Sequence, residues 1–380
     1  MLSNNTKAFF ELVKAGLWEK DIRLSQFGTI DYNEILRLSE EQSVVGIVAA
    51  GLEHVVDVKL PKEDVLQFVG QALQVEQQNQ AMNVFISKLV EKMRAGGIYT
   101  FLLKGQGIAQ CYEKPLWRSC GDVDLFLSED NYNRAKELLA PIATVVEMEY
   151  EREKHLGMII DGWEVELHGH LYSGLSSRVE RVLDRLQEDT FYGGQVRSWM
   201  NGQTQIFLLK AENDAFYVFT HILQHFYKEG VGLRQICDWC RLLYTYRDSL
   251  NYGLLEQRIK RARLVSEWKA FGALAIEYLG FPKDSMPLLN VDIDLNANLK
   301  RKADRIMEFI LKSGNMGHNR GSWLMEHNSW LSRQYVVRKV FSMFRRIGDL
   351  INHARIFPLD ALRFFPRLMF NGVMSAIKGE

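Results

Sequence analysis

"KGQGIAQCYEKPLWRSCGDVDLFL", Lys104 to Leu127, sets two aspartates, Asp122 and Asp124, inside a run that otherwise reads as a buried strand. Side chains of a strand alternate between faces, so Asp122 and Asp124 point one way and Val123 and Leu125 the other. Neighbouring carboxylates repel, and burying them is costly unless something positive stands between them. A divalent cation is the simplest such group. Upstream, "FLLKGQGIAQ" (101–110) reads as a short strand, a glycine turn and the start of a short helix. Glycine lets backbone approach a ligand, and a helix N-terminus offers free N–H groups to a phosphate.

A third piece lies downstream in "WEVELHGHL" (163–171). Period-two spacing puts Glu164, Glu166, His168 and His170 on one face and Trp163, Val165 and Leu167 on the other. Two acids and two histidines beside an aspartate pair point to a metal-centred site. The three pieces together suit two-metal phosphoryl chemistry. Asp122 and Asp124 would hold two Mg²⁺ ions. Glu166, or Glu164 on the same face, would complete the second metal or take a proton from the attacking hydroxyl. The phosphates would rest on the turn of Lys104, Gly105, Gln106 and Gly107. Lys104 and Arg118 are either phosphate donors or salt-bridge partners of nearby carboxylates. Mg²⁺ prefers oxygen, so His168 and His170 are expected to hydrogen-bond a carboxylate or phosphate rather than ligate the ion. A metal-dependent hydrolase using the Glu/His strand is the alternative chemistry.

The flanks are helical. Residues 1–96 carry helical apolar spacing, with Asp31 as a cap and a long helix from Pro61 to Gly96-Gly97. Residues 97–175 form a small α/β unit. In it Ser128 is expected to cap a helix, and Asp161-Gly162 to turn a hairpin between "HLGMII" and "WEVELHGHL". From 176 to 330 helices return. His221 and His225 share one helix face there and read as pocket-lining or core histidines. Cys237 and Cys240 sit in an apolar helical pattern and, with Cys111 and Cys120, read as core thiols rather than zinc ligands. Residues 331–380 form a basic, apolar tail with nine Lys/Arg against three acids. A helical end packed on the protein is the simpler account of it, and contact with a membrane surface or a partner the other.

Composition narrows the class. The chain has 380 residues, room for two or three domains. Lys+Arg and Asp+Glu both number 47, so no global charge draws it to nucleic acid. Four cysteines do not make a disulfide framework. Neither a signal peptide nor an apolar run long enough to span a membrane is visible, and the expected location is the cytoplasm.

"LLKGQGIAQCYEKPLWRSCGDVDLFLSEDNYNRAKELL" (102–139) resembles the nucleotidyltransferase superfamily that includes DNA polymerase β and the antibiotic nucleotidyltransferases. More narrowly, the chain is similar to an uncharacterised nucleotidyltransferase family. That family has a leading Leu-Lys-Gly, an Arg shortly before Asp-x-Asp-Leu, and a later Glu-Leu-His. Lys104-Gly105, Arg118, Asp122 to Leu125 and Glu166 to His168 match in order. His221, His225, Arg234 and Asp238 stand in matching places of its helical region. Gln106 departs from the Gly or Ser that usually follows the glycine. The resemblance covers about residues 100–245. It implies an α+β fold, a small mixed-sheet nucleotidyltransferase core between N-terminal and C-terminal helical segments. It also implies transfer of a nucleoside monophosphate from an NTP (ATP, CTP, GTP or UTP) to a hydroxyl of a sugar, small molecule or protein, with Mg²⁺ and release of pyrophosphate. A catalytically degenerate nucleotide-binding or interaction protein on the same scaffold is the rival reading. The intact carboxylate trio argues against it.

Overall fold

Among the described residues, seven strands make one mixed sheet. They are β1 (Phe101–Leu103), β2 (Asp122–Phe126), β3 (Val145–Val146), β4 (His155–Ile160), β5 (Trp163–His168), β6 (Arg197–Asn201) and β7 (Thr204–Leu208), in the spatial order β3-β4-β5-β2-β1-β7-β6. The computed structural model describes residues 2–315 except 152, 195, 229 and 291–295, together with 317, 348–359, 364 and 366. β2 runs parallel to β5 and antiparallel to β1, and β1 runs parallel to β7. The fold is α+β, with helices packed on both faces of the sheet.

One face packs on the C-terminal half of the 34-residue helix α4 (Lys62–Ala95), counting α1 (Asn4–Trp18), α2 (Tyr32–Glu41) and α3 (Val45–Leu52) before it. Met82, Phe85, Ile86, Leu89 and Val90 of α4 join Leu102, Val123, Leu125, Val165 and Leu167 in one buried cluster. These strand residues are the apolar set that period-two spacing turns away from Asp122 and Asp124. The opposite face, with Leu103 and Phe126, joins a larger core. That core includes α1, α3, α8 (Ala211–Lys228), α9 (Leu233–Thr245) and α11 (Val265–Leu279). Between these helices in the chain lie α5 (Gly105–Ala109), α6 (Glu129–Leu139), α7 (Ser177–Tyr192) and α10 (Tyr252–Ala262), and α12 (Ala297–Ser313) follows. Phe68 and Ala72 at the other end of α4 belong to this second core, so α4 ties the two together.

Local signals explain most boundaries. Asp31 accepts from the Asn33 and Glu34 amides and caps α2. Asp161-Gly162, both at positive φ, turns β4 into β5. Ser128 stands at the extended cap position of α6, but its hydroxyl makes no capping bond, contrary to expectation. The sheet also reaches past the 97–175 segment. The hairpin of β6 and β7 adds to β1 within a region expected to be helical. Its signal was Asn201-Gly202, the strongest short-range hairpin dipeptide, between two short alternating runs. Of the basic tail, 348–356 is helical and His353 and Phe357 are buried, while most of 331–380 lies outside the described residues. No helix among the described residues is long and apolar enough to cross a membrane.

Candidate active site

The register of β2 against β5 assembles the carboxylates. Asp122 lies opposite Glu164, and Asp124 opposite Glu166. Asp122, Asp124 and Glu166 line one cleft, floored by the sheet and walled by Val218, His221, Ile222 and His225 of α8 and Gln235 and Asp238 of α9. Glu164 is exposed on the same face and does not line the cleft, which separates the two candidates for third carboxylate by position.

Asp124 is the buried centre. Its Oδ1 accepts from His168 Nε2 at 2.8 Å and lies 3.1 Å from Lys104 Nζ. Its Oδ2 is buried with no hydrogen-bond partner among the described residues. Burial, and then the charge of Asp122, push the Asp124 carboxyl up, while Lys104 and His168 pull it down less strongly. Glu166 moves the other way. Burial pushes it up, but hydrogen bonds from His155 and His168, and the charge of Lys104, hold it well below the usual carboxylate range. Burial opposes the charge on Lys104 too, yet Asp124, with Asp122 and Glu166, keeps it firmly protonated. His168 Nε2 faces two carboxylate oxygens, on Asp124 at 2.8 Å and Glu166 at 3.3 Å, so that nitrogen carries the proton.

Lys104 lines the cleft with its ammonium paired to Asp124. It occupies a φ of +48°, followed by Gly105 at +40°. Such backbone costs about 1–3 kcal/mol at a non-glycine residue. The turn aims the ammonium at Asp124. Gly105 lines the cleft, but Gln106 and Gly107 do not. Gln106 is buried beneath the turn and donates to Asn79 Oδ1 of α4 at 2.6 Å. A Cβ on Gly107 would stand 2.7 Å from Leu208, so this glycine seats α5 on the sheet instead of meeting a ligand.

Arg118 is buried and bonded through two nitrogens to Asp238 of α9, Nε to Oδ1 at 3.0 Å and Nη2 to Oδ2 at 2.6 Å. Tyr112 donates to the same carboxylate at 2.9 Å. The pair pins the helical wall to the loop before β2. Arg118 still borders the cleft, and its Nη1 has no partner among the described residues. Arg234 lines the cleft and donates through Nη1 to the Ser119 carbonyl at 2.9 Å.

The histidines divide. His170 lies beyond the end of β5 and pairs with Asp184 of α7 at 2.9 Å, away from the site. In its place the structure brings in His155, which faces His168 across the hairpin. Sequence reading missed His155, though the Asp161-Gly162 turn sets the register: counting outward from Ile160 and Trp163 reaches His155 and His168 together. His221 and His225 line the cleft with their Nε2 atoms 3.0 Å apart. Burial, then Lys104 and His225, hold His221 well below the ordinary imidazole value. Folded His221 thus binds fewer protons than unfolded. Its contribution is complete above about pH 6.5 and is lost as the pH falls, at a slope of up to ~1.4 kcal/mol per pH unit. Thermal melts from pH 7 to 5 should fall more steeply for the native chain than for His221→Gln; parallel curves would show that His221 accepts a proton freely in the folded state.

All four cysteines are buried and unbridged, and burial pushes each thiol up, Cys111 to about 11. That is the opposite of a metal-ligating thiolate.

The donor set fits magnesium. Three carboxylates converge, one buried oxygen of Asp124 has no partner, and hard cations take oxygen ligands. No curated protein and no solved structure matches the chain. A model of an uncharacterised nucleotidyltransferase family matches residues 28–280, which contain every strand among the described residues and the whole cleft lining. The chain belongs to this uncharacterised nucleotidyltransferase family.

Proposed function

We propose that the chain transfers a nucleoside monophosphate from an NTP to a hydroxyl acceptor, with release of pyrophosphate. The observation that carries this reading is the β2/β5 register, which places Asp124 beside Glu166 with Asp122 on the same face of the cleft. Asp122, Asp124 and Glu166 would hold Mg²⁺, which supplies charge neutralisation at the transferring phosphoryl group and a more acidic acceptor hydroxyl. Lys104, held protonated, keeps the carboxylates from repelling one another and fixes Asp124 in place. Arg118 and Arg234 offer N–H donors at the cleft to phosphate oxygens. This moves the phosphate wall from the glycine turn toward α9. Neutral His221 stands near the carboxylates without adding positive charge. The cleft encloses about 140 Å³, below the ~300 Å³ at which sites for whole drug-sized ligands begin. It suits the polyphosphate end, leaving sugar and base toward its mouth.

Calorimetric titration of ATP, CTP, GTP and UTP, with Mg²⁺ and with EDTA, tests this directly. One NTP should bind only with Mg²⁺, and binding should vanish in the Asp122→Asn/Asp124→Asn variant. A folded chain that binds none of the four would instead be a degenerate scaffold.

A further inference from the structure

The hairpin of β4 and β5 holds a second constellation. Directly paired residues of an antiparallel pair share a face, so His155 and His168 stand on the Glu166 side of the sheet, ring centroids 4.8 Å apart. Glu166 Oε2 lies 3.2 Å from His155 Nε2 and 3.3 Å from His168 Nε2. The three ligand atoms all lie within 4.8 Å of one another. Bonds of about 2.0–2.1 Å at tetrahedral angles would put ligand atoms about 3.3–3.4 Å apart. Two of the three edges already match that spacing. The third closes by rotation of imidazoles that are only partly buried.

Two imidazoles and one carboxylate are a poor set for Mg²⁺, which wants oxygen, and a good one for zinc, cobalt or other first-row ions. We propose that His155, Glu166 and His168 bind one divalent transition-metal ion, which displaces the proton that His168 Nε2 shares with Asp124 and Glu166 and leaves an open coordination position beside the cleft that Glu166 lines. Three protein ligands with one open position are the pattern of a catalytic rather than a structural zinc site. The inference deepens the nucleotidyl-transfer reading and rests on it for the role of the neighbouring Asp122 and Asp124. Glu166 then serves this nitrogen-bound second ion rather than the magnesium, which Asp122 and Asp124 keep.

The test is a titration of chelator-stripped full-length chain with Co²⁺, read by visible absorption, beside His155→Gln and Asp122→Asn. Circular dichroism establishes that each variant is folded. The native chain should bind one equivalent with the bands of nitrogen-ligated Co²⁺. The nitrogen-ligated bands should persist in Asp122→Asn, which removes only ion held by the aspartates, and His155→Gln should weaken the binding that they report about tenfold or more. Co²⁺ binding no tighter in the native chain than in His155→Gln would overturn the proposal. So would binding lost in Asp122→Asn and kept in His155→Gln, which places the ion on the aspartates alone. Mg²⁺-dependent NTP binding is measured on the same preparations. If Co²⁺ binds as expected and no NTP does, the transfer reading fails and the metal site stands; the reverse result removes only the metal site.

Discussion

Asp124→Asn should lower pyrophosphate release from the bound NTP by on the order of 10³-fold, the scale on which losing one preorganised charge-stabilising group acts. The substitution keeps shape and removes charge at the most buried carboxylate of the cleft. It also leaves Lys104 without its closest counter-ion and weakens the acceptor facing His168. Part of the effect will therefore appear as lower stability. Asp122→Asn separates the two, since Asp122 is less buried and should lose turnover with little change in thermal midpoint. Turnover above a tenth of native in a folded Asp124→Asn chain would remove this carboxylate from the machinery and with it the metal assignment.

Arg118→Ala should cost about 3–5 kcal/mol of stability, because it leaves Asp238 as an unpaired buried charge. Both partners are almost wholly buried, and the two-nitrogen contact links the loop before β2 to α9. Surface pairs such as Lys260–Glu256 are worth far less. Replacing both partners with apolar groups, Arg118→Met with Asp238→Leu, should recover most of the loss, since burial of the pair is itself costly. The Tyr112 hydroxyl, which donates to Asp238, limits that recovery. Urea unfolding measures all three chains. A loss under about 1 kcal/mol for Arg118→Ala would mean that water reaches Asp238.

The alternation in β2 and β5 is local chemistry, and it was legible. Val123, Leu125, Val165 and Leu167 had to face a core, which left Asp122, Asp124 and Glu166 on the other side. The long helix α4 and the Asp161-Gly162 hairpin were equally readable, because caps and turn residues act within a few positions. The Asn201-Gly202 hairpin carried the same kind of signal inside a stretch dominated by helical patterns. What each cation would do was not legible. Lys104 and Arg118 each had a phosphate and a carboxylate reading, and choosing between them needs distances across the fold. Gln106 and Gly107 looked like a phosphate turn because glycine serves close approach of any kind; here Gln106 approaches Asn79 and Gly107 approaches Leu208.

From sequence alone came a small α/β unit between helical flanks, the faces of the strands and the three carboxylates that could converge, since these follow from periodicity and turn chemistry over neighbouring residues; the family resemblance supplied the α+β class. Only the tertiary structure decided that Glu166 rather than Glu164 enters the cleft, that His170 pairs with Asp184 outside it, and that Asp238 claims Arg118. Those outcomes depend on strand register and helix docking between residues up to 120 positions apart. They are set by the packing of two cores on either face of one sheet, and no short window of sequence contains that information.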